Sequence, residues 1–318
     1  LDRRLVGMTS SQPASERGGK ILALSGIILS ALSLRTAVAV LSPIADRVDR
    51  DIPLGSVGLG VIGTLPPIAF AVFALVTPAI VHRLGLERTM ILALTATAVG
   101  HATRGLASDF VSLFAGSVMV LTGLGIANIL MPPLVRRYFP TRIGQATAVI
   151  SVLLPVSTAL PALLAEPIAS TAGWRVALGM WSLLAVSALV PWVSIAAQQR
   201  RTADVTAVAS PPSSLLLALR RSPTAWAIGT VIAVSSIAVY SFYAWLPQIL
   251  AERTSLDSIA IGALLSLFGI VNLPTSLVMP LLVARVRNVA PIVCLAVALL
   301  SLKKYKDSHR AQFDDEYF

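Results

Sequence analysis

Cysteine, histidine and carboxylate are all scarce in this chain. A single cysteine, Cys294, occurs among 318 residues. No disulfide framework and no cysteine-based metal site can form within one copy. The three histidines, His82, His101 and His309, are scattered and lack metal-ligand spacing, so no metal and no other cofactor is expected. Asp and Glu together number 15. None lies midway along an apolar run; Asp46, Asp109 and Glu166 stand near run ends. A membrane enzyme would need clustered catalytic groups, and the runs hold none, so the expectation is not an enzyme. Charged residues are 13 % of the chain, against about 25 % in a soluble domain.

Apolar sequence fills the space the charges leave. The chain is 56 % hydrophobic, with a mean hydropathy of +0.81. Uncharged runs recur at Val57–Val81, Phe110–Val135, Ile143–Ala165, Val176–Ala197, Pro223–Ala251 and Ile259–Ala284. Each exceeds the roughly 20 residues a helix needs to cross a bilayer. Ile21–Ala45, which contains Arg35, and Met90–Ala107, which contains His101 and Arg104, bring the expected spans to eight. Val289–Leu302 begins a ninth. The first run is too long for a cleavable signal and carries an internal Arg.

The net charge of +10 is a topology signal and not a nucleic-acid surface. Segments 1–20, 82–89, 136–142, 198–222 and 285–288 carry 15 Lys and Arg; the alternate segments 46–55, 104–109, 166–175 and 251–258 carry five. Basic residues mark the cytoplasmic side. The expectation is a multi-pass inner (plasma) membrane protein with a cytoplasmic N-terminus and no nucleic-acid partner.

An internal repeat organises the spans. Val76, Pro78, Val81 and Arg83 line up with Val278, Pro280, Val283 and Arg285 at an offset of 202, and Pro43 with Pro247 at 204. Parallel six-helix halves are one transporter construction. The expected division is a cytoplasmic N-terminal segment (1–20), a six-helix half (21–197), a cytoplasmic linker (198–222), a partial second half (223–302) and a polar tail (303–318). A second half stopping in its third span leaves an inactive truncated transporter fragment, or a non-transporting membrane sensor, as the alternative to a working transporter.

Arg35 is the fifteenth of the 25 residues in its run. That depth is hard to escape by snorkelling at 1.5 Å per residue. It faces either a partner on another helix or a polar cavity that receives an anion or a dipolar solute. Arg104 is a second cation, or else an interfacial anchor. His101 lies three residues before it, on the same helix face. Asn128 in the fourth span needs hydrogen-bond partners, from a neighbouring helix or a cavity. Tyr240, Tyr243, Trp245 and Gln248 gather around Pro247, as an interfacial belt or as a pathway wall.

Four segments carry a family resemblance: "LRTAVAVLSPI" (Leu34–Ile44), "TRGLA" (Thr103–Ala107), "GLGIANILMPPLVRRYFP" (Gly123–Pro140) and "YAWLPQIL" (Tyr243–Leu250). Over roughly residues 20–300 the chain resembles a major facilitator superfamily transporter, and more narrowly the cyanate/2-nitroimidazole permease family. Thr36 stands where that family usually has Pro. In the loop "HRLGLER", Arg83 and Gly85 keep the superfamily pattern, but His82 replaces its Asp. The resemblance implies an all-α helical bundle of the major-facilitator type, six N-terminal spans plus an incomplete second half. It implies a monomer that moves a small anionic or dipolar solute by alternating access, with the coupling ion left open. Its implied substrate contacts are Arg35, Arg104, His101, Asn128, Tyr240, Tyr243, Trp245 and Gln248, and its cytoplasmic gating loop is Arg83, Gly85, Glu87 and Arg88.

Overall fold

A computed structural model describes residues 14–202 and 222–285. The beginning of the ninth run, the polar tail, and most of the linker and of the N-terminal segment lie outside the described residues. The chain divides into two compact units, Leu1–Leu273 and Pro274–Phe318. Of the second unit only 274–285 is described, as helix.

The described residues are helical, with no strand among them. The first run is not one continuous helix. It is split into α1 (Ala14–Ser33), α2 (Thr36–Leu41), a 3₁₀ turn (Ser42–Ile44) and α3 (Ala45–Asp51). Then come α4 (Gly55–Leu84), α5 (Leu86–Gly105), α6 (Phe110–Tyr138) and α7 (Ile143–Ala172). The sixth run is α8 (Trp174–Gly179) followed by α9 (Trp181–Thr202). Two long helices, α10 (Pro223–Arg253) and α11 (Ser258–Arg285), complete the described chain.

Among the described residues, six helical stretches are long and apolar enough to cross a membrane: Gly18–Asp51, Val57–Leu84, Phe110–Tyr138, Ile143–Ala172, Trp174–Gln198 and Gly229–Arg253. They correspond to six of the eight expected spans. The helix α5, at the third, has the length, 20 residues, but Glu87, Arg88, His101 and Arg104 lower its apolarity; most of it is buried among other helices, while Leu92 and Val99 are exposed. At the eighth, α11 is a helix of 28 residues.

Helix boundaries follow local chemistry. Asp109 caps α6: its carboxylate accepts from the Ser112 N–H at 2.8 Å, and the Ser112 hydroxyl oxygen accepts from the Asp109 N–H at 3.3 Å. That N–H donor holds the Asp109 carboxyl below the usual carboxylate range. Gly85 ends α4 at φ 81°, a left-handed conformation in which glycine avoids a Cβ clash. Prolines 66, 67 and 78 lie inside α4, and 155, 161 and 167 inside α7, without ending either helix. Membrane helices tolerate this where neighbours satisfy the freed backbone groups.

The helix α5 is the axis of the first unit, packed most closely on α6 and α9. Glycine permits the α5–α6 approach. A Cβ on Gly123 would overlap the Ala93 carbonyl oxygen and the Thr97 hydroxyl; one on Gly100 would overlap the Val120 backbone. Gly116 sits against Arg104, whose Cγ would be 3.0 Å from an added Cβ. Small residues let membrane helices meet this closely. One apolar cluster joins Ile27, Met90, Leu130, Leu134 and Trp192, with the Trp192 indole donating to the Ser30 hydroxyl at 3.1 Å. A second joins Val40, Ile44, Leu113, Trp174 and Leu178.

The glycine contacts yield the first test. Gly123→Ala overpacks the α5–α6 seam and costs about 1–3 kcal/mol, read as a lower melting temperature in detergent. Gly144→Ala, with nothing within 4 Å of the new Cβ, leaves the melting temperature unchanged or slightly raised.

Candidate functional site

The site is built around the break in the first run. Leu34 and Arg35 interrupt the helix, Arg35 at φ −120°, ψ 0°. Hydroxyl groups beside the break compete for backbone carbonyls: Ser33 Oγ donates to Leu29 O at 3.1 Å and Thr36 Oγ1 to Ser33 O at 2.9 Å. The Arg35 carbonyl accepts from both Val38 N–H and Ala39 N–H, each at 3.2 Å. Irregular backbone at membrane depth persists where protein surrounds it. Here α5 does so from one side and α10 from another.

Arg35 is half-buried and has no carboxylate partner among the described residues. Its guanidinium donates to the Tyr240 hydroxyl. The guanidinium carbon lies 5.6 Å from the ring centres of both Phe70 and Tyr240, within cation–π range. The two rings meet edge to face at 5.9 Å. The acidic candidate for an interhelical pair, Glu166, is engaged elsewhere: Arg47 binds it through Nε at 3.0 and 3.1 Å and through Nη2 at 2.6 Å.

Arg104 is 1 % exposed, so it does not serve as an interfacial anchor. Its Nη1 donates to the Ala37 carbonyl at 3.1 Å, and its Nε is buried with no hydrogen-bond partner. One turn earlier, His101 is fully buried. Its Nε2 is 3.0 Å from Thr36 Oγ1 and its Nδ1 is 3.2 Å from the Leu178 carbonyl. Two side chains of α5 thereby hold the backbone segment that follows Arg35.

A cavity of about 50 Å³ opens beside these groups. Its wall includes Ala37, Leu41 and Ser42 from the broken run, Ile62 and Pro66 from α4, Arg104 from α5, Ser117 and Leu121 from α6, and Tyr240, Ala244 and Trp245 from α10. A buried water needs about 10–15 Å³ measured in this way, so the space suits a solute of a few heavy atoms. The α10 wall is tied on by Ser42 Oγ, which donates to Ala244 O at 3.0 Å.

The expected site residues separate into groups. Arg104, Tyr240 and Trp245 line the cavity, Arg35 is one bond away from its wall through Tyr240, and His101 bonds Thr36, next in the chain to the wall residue Ala37. Tyr243 turns instead to Phe268, ring centres 5.4 Å apart, and packs with Ala39, Ala162 and Leu265. Gln248 is half-buried and lines no part of this cavity. Asn128 is exposed and lines no part of this cavity, although Leu124 and Met131, one turn either side of it, are buried. Thr36, Phe70 and Ser117 were not anticipated. The signal for Thr36 was a hydroxyl directly beside an intramembrane charge.

At the opposite end of α5, the loop residues also separate. Arg83 and Arg88 are exposed, as is His82. Glu87 is 3 % exposed. It accepts from the Tyr138 hydroxyl at 2.7 Å and pairs with Arg137 Nε at 3.2 Å, near the favourable N-terminus of α5.

Comparison with known proteins agrees with this architecture. Residues 23–302 match the family model of the Major Facilitator Superfamily. The chain is 29 % identical to "Uncharacterized transporter YycB" of Bacillus subtilis (strain 168) over 85 % of its own length and 66 % of that protein's. It is 28 % identical to the "2-nitroimidazole transporter" of Escherichia coli (strain K12), over 92 % of this chain and 74 % of the relative. It is 23 % identical to "Cyanate transport protein CynX" of the same organism, over 86 % and 69 %. The chain thus spans about two thirds to three quarters of the length of these relatives.

Glu87 offers a direct test of the loop geometry. Glu87→Ala removes the acceptor of Tyr138 and the partner of Arg137, and lowers stability by about 1–3 kcal/mol. Arg88→Ala, at an exposed position, changes it by no more than about 0.5 kcal/mol. Thermal melts of the two variants in one detergent make the comparison.

Proposed function

The chain belongs to the Major Facilitator Superfamily, and on that premise we propose that it is a secondary transporter of a small anionic or strongly dipolar solute. Relatives named as a 2-nitroimidazole transporter and a cyanate transport protein support that solute class. The observation that carries the reading is the buried guanidinium of Arg104, with an unpartnered Nε, in the wall of a small cavity. An uncompensated buried donor is costly in the empty state. A ligand oxygen or nitrogen supplies the missing acceptor, and its negative charge offsets the guanidinium.

Arg35 acts beside it. Aromatic rings and a neutral hydroxyl hold its side chain, so it stays available as a positive field at the cavity. Trp245 and Pro66 supply apolar walls that fit a flat or linear solute. The tie between Ser42 and Ala244 makes α10 the movable wall: its displacement opens the cavity, as alternating access requires. The protein sits in the membrane with its N-terminus and the basic loops at 82–89 and 136–142 on the cytoplasmic side, the orientation the basic residues favour.

Two experiments test this reading. Uptake of labelled cyanate and 2-nitroimidazole into vesicles is expected for the wild type. It is lost in Arg104→Gln and falls at least tenfold in Arg35→Lys, which keeps the charge but not the planar fork. Arg35→Ala keeps the fold, because no buried carboxylate is left behind. A large loss of melting temperature in Arg35→Ala, with affinity unchanged in the surviving protein, would give Arg35 a structural role instead. For orientation, on a Cys294→Ala background, Thr141→Cys should resist a membrane-impermeant maleimide in intact cells and Ser108→Cys should react. The reverse pattern overturns the assignment.

A further inference from the structure

We propose that His101, Thr36 and Arg104 form a coupled anion–proton site, in which one small monoanion and one proton bind together. The inference rests on the transporter reading above and adds the identity of the coupled ion. Its basis is a count of hydrogens. The Leu178 carbonyl, at the junction of α8 and α9, can only accept, so the 3.2 Å contact requires a hydrogen on His101 Nδ1. Thr36 Oγ1 lies 3.0 Å from His101 Nε2 and 2.9 Å from the Ser33 carbonyl. The hydroxyl has one hydrogen and two neighbours that want it while the imidazole is neutral.

Protonation resolves the conflict. The imidazolium donates from Nδ1 to Leu178 O and from Nε2 to Thr36 Oγ1, and Thr36 then donates to Ser33 O. Every group in the chain is satisfied. While the ring is neutral, the single Thr36 hydrogen serves either Nε2 or Ser33 O and the other goes without it, at the break that presents Arg35. The proton arrives from water, one N–H bond forms at Nε2, and no other bond is made or broken.

Arg104 links this proton to the anion. It stands one turn along the same face as His101, and its charge opposes a second one beside it. An anion on Arg104 removes that opposition. With the anion and the proton both bound, the buried charge is the same as with neither, so the pair enters without a net charge change in the apolar bundle.

Nothing else packed on α5 competes for the role. From α6 come Ser117 at the cavity and, at the far end, Arg137 and Tyr138 on Glu87. From α8 comes Arg175, bound to Asp51 at 3.0 Å. The near residues of α9 include Trp181, which carries no titratable group. The broken run brings Arg35, which is held by Tyr240 of α10. At the far end α4 carries His82 and Arg83, both exposed. No carboxylate among the described residues bonds His101, which leaves its imidazole as the titratable group one turn from Arg104 on the cavity wall.

The test is calorimetric titration of the purified full chain with sodium cyanate, in two buffers of different protonation enthalpy at pH 7.5. The buffer dependence of the heat counts protons taken up per anion. The expected result is close to one proton, with affinity weakening about tenfold per pH unit at higher pH. In His101→Gln the count falls to zero while cyanate still binds. Thr36→Val, which removes the hydroxyl but not the ring, lowers the count without abolishing binding. Cyanate binding with no proton uptake in the wild type overturns the coupled site and leaves the anion reading intact. Full proton uptake in His101→Gln likewise overturns it. Absence of cyanate binding in the wild type overturns the anion reading, and the coupled site with it.

Discussion

The hydrogen bond from Arg104 to the Ala37 carbonyl is the contact on which the polar architecture turns. It joins the most buried cation of α5 to the backbone of the broken first run. A helix interrupted inside an apolar bundle exposes carbonyls that lipid cannot satisfy. Arg104 meets one of them, and Thr36 meets another at Ser33. The break is therefore stable only because α5 lies against it. That proximity depends in turn on Gly100, Gly116 and Gly123, which let α5 and α6 approach until Arg104 is covered. A bulkier seam would push α5 outward and leave its charged face against lipid.

Much of this was legible because membranes impose a coarse code. Uncharged runs longer than 20 residues marked the helices, and the depth of Arg35 singled it out as a charge that needs protein around it. The weaker apolarity of α5 was also visible in His101 and Arg104, but its consequence was not. A less apolar helix is acceptable when helices and not lipid surround it, and burial is a tertiary property.

Direction was harder to read than depth. Asn128 and Leu124 lie one turn apart on nearly the same side of α6, yet one is exposed and the other buried, because burial depends on which neighbouring helix reaches that level and not on helix periodicity alone. Tyr240 and Tyr243 are close in sequence, yet the Tyr240 hydroxyl accepts from Arg35 while the Tyr243 ring packs against Phe268. The break at Leu34–Arg35 also escaped the sequence pattern. Thr is not a helix breaker like Pro, and here its hydroxyl acts through a local bond to Ser33. The partners of Arg35 could not be found by searching for carboxylates, since they are a phenol and two aromatic faces.

The choice of partners has a mechanical meaning. A buried ion pair is costly to separate, because breaking it leaves charges in a medium of low dielectric. The bidentate Arg47–Glu166 pair, buried on its carboxylate side only, is such a joint in part and fastens α3 to α7. The cavity cations are held differently. Arg35 rests on rings and a hydroxyl, and Arg104 on one carbonyl. Each such contact is weaker than a charge-assisted pair to a carboxylate, so an incoming anion can improve on it without first displacing a resident one. The chain has few carboxylates, and among the described residues Glu166, Asp51 and Asp109 are committed to fixed joints. The positive groups at the cavity keep their strongest kind of interaction unspent, and under the proposed transport role an anionic solute would be the partner that forms it.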